Sequence, residues 1–210
     1  MELDYNLIKN EQFRTSKWSG GTTTELCIYP ENSEYQNRDF TWRISSATVD
    51  LETSKFTTLS DYDRIIMVLK GKLILQHDEG DSITLNELDQ YKFDGNANTE
   101  SKGKVTDFNL MMRKGSCVGK VEVIQLDPKT TLSTIFYEER VEEYDNSADI
   151  YYNIKGKIKM SINESKTIIL ENKDILIVNK KNKKQSTLFE CYNSYEEEAI
   201  IVKSSVFFNK

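Results

Sequence analysis

The stretch Asp63 to Leu75, DRIIMVLKGKLIL, constrains the fold more than any other part of the chain. An apolar run, Ile65 to Leu69, meets Lys70-Gly71-Lys72 and is followed at once by Leu73 to Leu75. Runs this short, rich in Ile, Val and Leu and broken by a glycine free to take shapes closed to other residues, predict strand, tight corner, strand. The pattern returns 85 residues later, where Ile154-Lys155-Gly156-Lys157-Ile158-Lys159-Met160 matches Leu69-Lys70-Gly71-Lys72-Leu73-Ile74-Leu75. The register then holds without a gap. Ile83-Thr84-Leu85 falls on Ile168-Ile169-Leu170, and Asp89 with Gln90 to Phe93 falls on Asp174 with Ile175 to Val178. A strand slipped by one residue turns every side chain to the wrong face, so phase kept across two turns predicts two copies of one small β-unit.

A chain of 210 residues suits one large β domain or two of about a hundred residues, each able to bury a core without staples. Helical periodicity is scarce and short strands dominate, which predicts an all-β protein. Pro128 follows the run Val121 to Leu126 and precedes the second repeat, so the expected division is 1–127, with the N-terminal strands, and 128–210. Leu132 to Tyr144 reads equally as a helical turn or a charged strand. A net charge of -6 and a pI near 5.1 give no general attraction for nucleic acid or anionic membranes. The lysines of Asn179 to Lys184 lie between two predicted strands without interleaved aromatics, and read as a solvated loop. Cys27, Cys117 and Cys191 are widely spaced with no CxxC pair, so reduced thiols are expected. The N-terminus lacks the apolar core of a signal peptide, and no apolar run approaches a membrane span. A soluble cytoplasmic protein is the expectation.

Particular words in the first half narrow the fold. In order, they are Trp18-Ser19-Gly20-Gly21-Thr22-Thr23-Thr24-Glu25-Leu26, Trp42-Arg43-Ile44-Ser45-Ser46-Ala47, Asp63-Arg64, Phe93-Asp94-Gly95 and Asp107-Phe108-Asn109-Leu110-Met111. This series resembles the HutD/Ves family of bicupins. The resemblance covers Trp18 to Arg113, and the repeat carries it into the second half. It implies two jelly-roll β-barrels of the RmlC-like cupin type. Two loops depart from the family: Ser60-Asp61 stands where members often have Pro-Gly, and the Gly-rich entry Ser19-Gly20-Gly21 is brief.

Metal-binding cupins hold their ion with several imidazoles and a carboxylate, and this chain has one histidine, His77. A histidine-built metal centre is excluded by count, and no cofactor is expected. Because Asp78-Glu79-Gly80-Asp81 reads as an exposed turn, His77 is expected to be an exposed bystander. Alternation puts Arg43, Ser45 and Ala47 on one face of a strand, and Asp107, Asn109, Met111 and Arg113 on one face of another. Such stripes line a ligand cavity, face solvent, or pair their acids and arginines internally, and alternation alone does not choose. The family resemblance favours the cavity. It implies that the first barrel holds a small carboxylate-bearing molecule, such as N-formylglutamate or urocanate. Arg43 and Arg64 would then neutralise the carboxylate, Ser45 and Asn109 would orient it, and Asp107, Met111 and Thr24 complete the expected set. For Gly20 to Glu25, a turn feeding a strand from Thr23 to Tyr29 outweighs a loop over the barrel mouth. Trp18 reads as core rather than cavity wall.

Three functions fit these residues. The leading one is a non-metal small-molecule-binding bicupin with a sensing or modulating role, which the resemblance connects to histidine utilisation. An enzyme, a metal-independent isomerase, epimerase or hydrolase of a small acid, needs a base other than histidine. A homodimeric interaction module would show an apolar outer face and a filled barrel.

Overall fold

The computed structural model describes residues 4–138, 141–181 and 185–209. Its strands begin with β1 (Tyr5–Ile8), β2 (Arg14–Trp18), β3 (Gly21–Tyr29), β4 (Trp42–Val49), β5 (Thr53–Lys55), β6 (Tyr62–Gly71), β7 (Leu73–His77), β8 (Ser82–Leu85), β9 (Gln90–Asp94), β10 (Thr99–Lys102), β11 (Val105–Arg113) and β12 (Cys117–Leu126). They continue with β13 (Thr131–Glu138), β14 (Asn146–Lys155), β15 (Ile158–Ile162), β16 (Ile168–Leu170), β17 (Ile175–Lys181), β18 (Gln185–Tyr192) and β19 (Ala199–Phe208). Two single-turn 3₁₀ helices are the only helical elements among the described residues.

Two compact units result. Phe13–Val118 forms one, and the chain from Gly119 onward together with the segment up to Gln12 forms the other. The expected division after residue 127 differs from this at both ends, for a reason of pairing. β1 lies antiparallel to β17, Tyr5 opposite Val178, and β12 is the edge of the sheet β1-β17-β14-β19-β12. Strands join the sheet that satisfies their backbone, not the nearest segment in sequence.

In the first unit a six-stranded sheet, β2-β3-β4-β11-β6-β9, packs on a four-stranded one, β5-β10-β7-β8. Val49, Ile66, Val68 and Phe93 of the larger sheet share a core with Leu73, Leu75 and Leu85 of the smaller. In the second unit β13-β18-β15-β16 partners the five-stranded sheet, and Tyr151, Leu176, Phe189 and Ile201 are among its core residues.

The repeat predicted from Gly71 and Gly156 extends to individual hydrogen bonds. Leu73 pairs with Leu85 and Ile158 with Leu170, while Arg64 pairs with Phe93 and Asp149 with Val178. The Leu88 N–H donates to Val68 O at 2.7 Å, and the Lys173 N–H to Asn153 O at 2.6 Å. Asp89 and Asp174 each accept from the backbone N–H three residues earlier, at 2.8 and 2.9 Å. Both corner glycines have positive φ, +95° and +77°. A Cβ would lie 2.7 Å from Lys104 O at Gly71 and 3.0 Å from Glu198 O at Gly156. Gly71→Ala and Gly156→Ala are each expected to lower stability by roughly 1–2 kcal/mol in chemical denaturation, from backbone strain and the close carbonyl together.

Three readings of the sequence change. The stretch Leu132 to Tyr144, open between a helical turn and a charged strand, is strand β13 as far as Glu138 and a turn from Val141 to Tyr144, with residues 139 and 140 outside those described. Asn179, Lys180 and Lys181 belong to strand β17, not a loop, because Lys180 is drawn into a 2.6 Å ion pair with buried Asp149; residues 182–184 lie outside the described residues. Trp18 is exposed, since every residue of edge strand β2 is exposed. The three cysteines are free and buried.

Candidate functional site

Arg43 and Ser45 of β4 and Asp107, Asn109 and Met111 of β11 are buried, so the polar stripes do not face solvent. Their pairing fixes what meets what. Arg43 stands opposite Met111, Ser45 opposite Asn109 and Ala47 opposite Asp107; across the next pair Met111 faces Arg64, and Arg64 faces Phe93. These side chains form a polar belt on the inner face of the first unit. Below it lies the apolar core of Val49, Val68 and Val105, and above it the cluster of Phe40, Leu59, Tyr62 and Met111. Met111 therefore belongs to the apolar cap of the belt.

The two arginines differ. The Arg43 Nε donates to Glu25 Oε2 at 2.7 Å, its Nη1 to Ser45 Oγ at 3.0 Å, and its guanidinium lies 4.4 Å from the Tyr35 ring centroid. Its charge is met within the fold. Arg64 is 6% exposed and has no carboxylate within 4 Å among the described residues. Its Nε reaches Asn109 Oδ1 only at 3.5 Å, and its guanidinium lies against Phe56 and Phe93, 4.9 and 5.1 Å from their centroids. Burial pulls its pKa down to about 10, against a smaller opposing pull from Asp107. A buried guanidinium so poorly compensated is costly for a fold, and an anion would offset that cost.

Asp107 is as deeply buried, and its Oδ1 accepts from the Ala47 N–H at 3.3 Å. Burial pushes its carboxyl up to about 7, despite the opposing pull of that N–H and of Arg64. Near neutral pH it is thus divided between an acid that donates a hydrogen bond and a carboxylate.

Thr24 is not brought to the belt. It pairs with Ser46 on the opposite face of the sheet, and its hydroxyl lies 2.8 Å from that of Thr15. The neighbouring Glu25 is there instead, opposite Ser45. A bulge between Glu25 and Cys27 then puts Ile28 opposite Arg43, a register change no local sequence signal marks.

His77 is not the exposed bystander expected. Alternation along β7 sends Leu73, Leu75 and His77 inward, and the imidazole packs 5.0 Å from the Phe93 centroid and 5.5 Å from that of Tyr91. Its Nδ1 lies 2.8 Å from the hydroxyl of Thr99, which is fully buried. The turn residues after His77 suggested exposure, whereas the period-two pattern from Leu73 was the better guide.

The repeat allows a comparison of the two barrels. The residue 85 positions beyond Arg64 is Asp149. Its carboxylate accepts from Lys180 Nζ at 2.6 Å and from Ser205 Oγ at 2.6 Å, with Lys203 Nζ 3.7 Å away. Burial alone would raise its pKa, yet the lysines and hydrogen bonds hold it below the ordinary value. The second barrel compensates its buried charge internally, whereas the first leaves a cation in want of one. An open cleft of about 540 Å³ in the first unit, bordered by Trp18, Leu51, Lys55, Glu100 and Lys102, presents charges that are all exposed, with Lys55 and Glu100 paired at 3.0 Å. Among the described residues no three His, Cys, Asp or Glu gather to hold a metal ion, and the belt's uncompensated charge is positive, which suits an anion rather than a cation.

The family model for HutD matches residues 10–193. The chain belongs to the HutD family. Among solved structures, the conserved protein PA5104 of Pseudomonas aeruginosa PAO1 superposes with a TM-score of 0.77 at 17% identity, covering 99% of this chain and 100% of that one. HutD from Pseudomonas fluorescens SBW25, in a formate condition, gives 0.68 at 16% identity over 96% and 98%. Oxalate decarboxylase OxdC of Bacillus subtilis, as an S161A mutant, gives 0.65 at 8% identity, over 97% of this chain and 77% of its own. At these identities the likeness is one of fold, and it makes this HutD-family chain a bicupin. No curated protein matches the chain.

Proposed function

We propose that the first barrel binds a small carboxylate-bearing molecule between Arg64, Asn109 and Asp107, and that the protein senses or modulates rather than transforms it. The observation that carries the reading is Arg64, buried at 6% exposure with no acid within ion-pair distance among the described residues. A ligand carboxylate fits the planar fork of a guanidinium, and a half-protonated Asp107 can donate to its second oxygen. Arg43 and Ser45, already bonded to each other and to Glu25, serve as a fixed wall. HutD-family membership supports a place in histidine utilisation, hence N-formylglutamate and urocanate as first ligands to try.

One observation favours a second reading. A carboxyl with its pKa near 7 is poised to take and return a proton, as an isomerase or epimerase of a small acid requires. Calorimetric titration with N-formylglutamate, urocanate, glutamate and histidine, with product analysis of the same mixtures, separates the two. Saturable binding without chemical change is expected. Conversion of any of the four makes Asp107 an acid–base group, and no binding by any of them removes the carboxylate site and leaves an interaction module.

A further inference from the structure

On the smaller sheet, against Phe93, lies one more polar atom without a protein partner, the Nε2 of His77, which is hidden from solvent and makes no hydrogen bond among the described residues. Its chemical character follows from the other side of the ring. The Thr99 hydroxyl lies 2.8 Å from His77 Nδ1 and 3.2 Å from Ala97 O. A hydroxyl has one proton. A carbonyl can only accept, so the arrangement that satisfies both contacts gives the Thr99 proton to Ala97 O and makes Nδ1–H the donor to Thr99 Oγ1. The imidazole is then the Nδ1–H tautomer, with a bare lone pair on Nε2. The opposite tautomer would leave Ala97 O without the Thr99 hydroxyl and bury an unpartnered N–H, which is the costlier choice.

His77 approaches the same Phe93 ring as Arg64, and from the facing sheet. The imidazole centroid and the Arg64 Cζ lie 5.0 and 5.1 Å from that ring's centroid. Burial, with Arg64 acting in the same direction and Asp78 against it, keeps the imidazole below its ordinary pKa and therefore neutral at physiological pH.

Resting on the carboxylate reading above, the geometry points to His77 Nε2 as the acceptor for an N–H or O–H carried by the bound acid. The ligand class is thereby an acid with a hydrogen-bond donor near its carboxylate, such as an N-acyl amino acid, and not a simple aliphatic acid. Arg64 holds the anion and His77 reads the donor, so the two select for different parts of one molecule.

The chain has a single histidine, so selective ¹⁵N labelling of histidine gives one imidazole with no assignment needed. The probes are N-acetylglycine and 4-oxopentanoate, which differ in having N–H or CH₂ at one position. The free protein is expected to show the Nδ1–H tautomer. N-acetylglycine is expected to shift the Nε2 resonance in the direction of an accepted hydrogen bond and to bind about tenfold tighter than 4-oxopentanoate, which should leave Nε2 in place. His77→Phe, which keeps the aromatic packing, should bring the two affinities together. An Nε2–H tautomer in the free protein overturns the inference, and so does binding of N-acetylglycine with Nε2 unmoved. Failure of both acids to bind overturns the carboxylate reading itself, and this inference with it.

Discussion

Arg64→Met is expected to weaken binding of a carboxylate ligand by roughly 10- to 150-fold, about 1.5 to 3 kcal/mol, while leaving the protein as stable as the wild type or more so. The two effects share one cause. In the free protein the guanidinium gains a 3.5 Å contact with Asn109 and two aromatic faces in return for its lost hydration. Methionine fills much the same volume against Phe56 and Phe93 without a charge to desolvate, so the folded state loses little. The ligand loses the uncompensated cation of the belt. Arg64→Lys retains the charge but not the planar fork, and should fall between wild type and Arg64→Met. Calorimetry for affinity and thermal unfolding for stability, on the same samples, decide the matter. A variant that loses stability by several kcal/mol would make Arg64 a structural residue and remove the anchor of the proposed site.

Fold and site were legible in the sequence to different depths. The double barrel follows from one in-phase repeat, because hairpin corners and strand parity are local properties that a pattern of Gly and apolar residues records. That Arg43 shares a face with Ser45, and Asp107 with Asn109, is legible for the same reason, whereas parity alone does not say that the face is the inner one. Pairings between distant strands were not. Nothing in YNLI says that β1 will complete the sheet through β17, and the bulge between Glu25 and Cys27 that puts Ile28 opposite Arg43 leaves no trace in GTTTELCIY. The allocation of partners was equally hidden. Arg43 and Arg64 are the same residue type on two strands of one sheet, yet a glutamate 18 positions away pairs with one and no acid among the described residues comes within 4 Å of the other. That difference separates a structural arginine from a candidate anchor, and it exists only in three dimensions.

Asp107→Asn is expected to stabilise the protein at neutral and alkaline pH and to abolish the pH dependence of ligand binding. The carboxyl rises from an ordinary value of 3.8 to about 7, chiefly by burial. Below the lower value both folded and unfolded chains hold the proton, and the group costs nothing. Between the two values the unfolded chain releases it while the folded chain keeps it, so stability falls as pH rises, and above about 7 the full cost is present. An uncharged asparagine can still accept the Ala47 N–H, and should recover on the order of 3 kcal/mol at pH 8 with little change at pH 4. Binding carries the same signature. A ligand carboxylate brought beside Asp107 favours its protonated form, so affinity should weaken as pH rises past 7, by at most about tenfold per unit. Arg64, pulled down only to about 10, keeps its charge through most of this range and His77 titrates below its ordinary 6.5, so the interval from pH 7 to 9 reads Asp107. Denaturation at pH 4 and pH 8, and titration calorimetry from pH 7 to 9, on wild type and Asp107→Asn, test the two halves. Affinity that changes equally with pH in the two proteins would assign the dependence elsewhere, and a destabilised Asp107→Asn would mean that the carboxylate is charged and paired with Arg64, closing the site to an added anion.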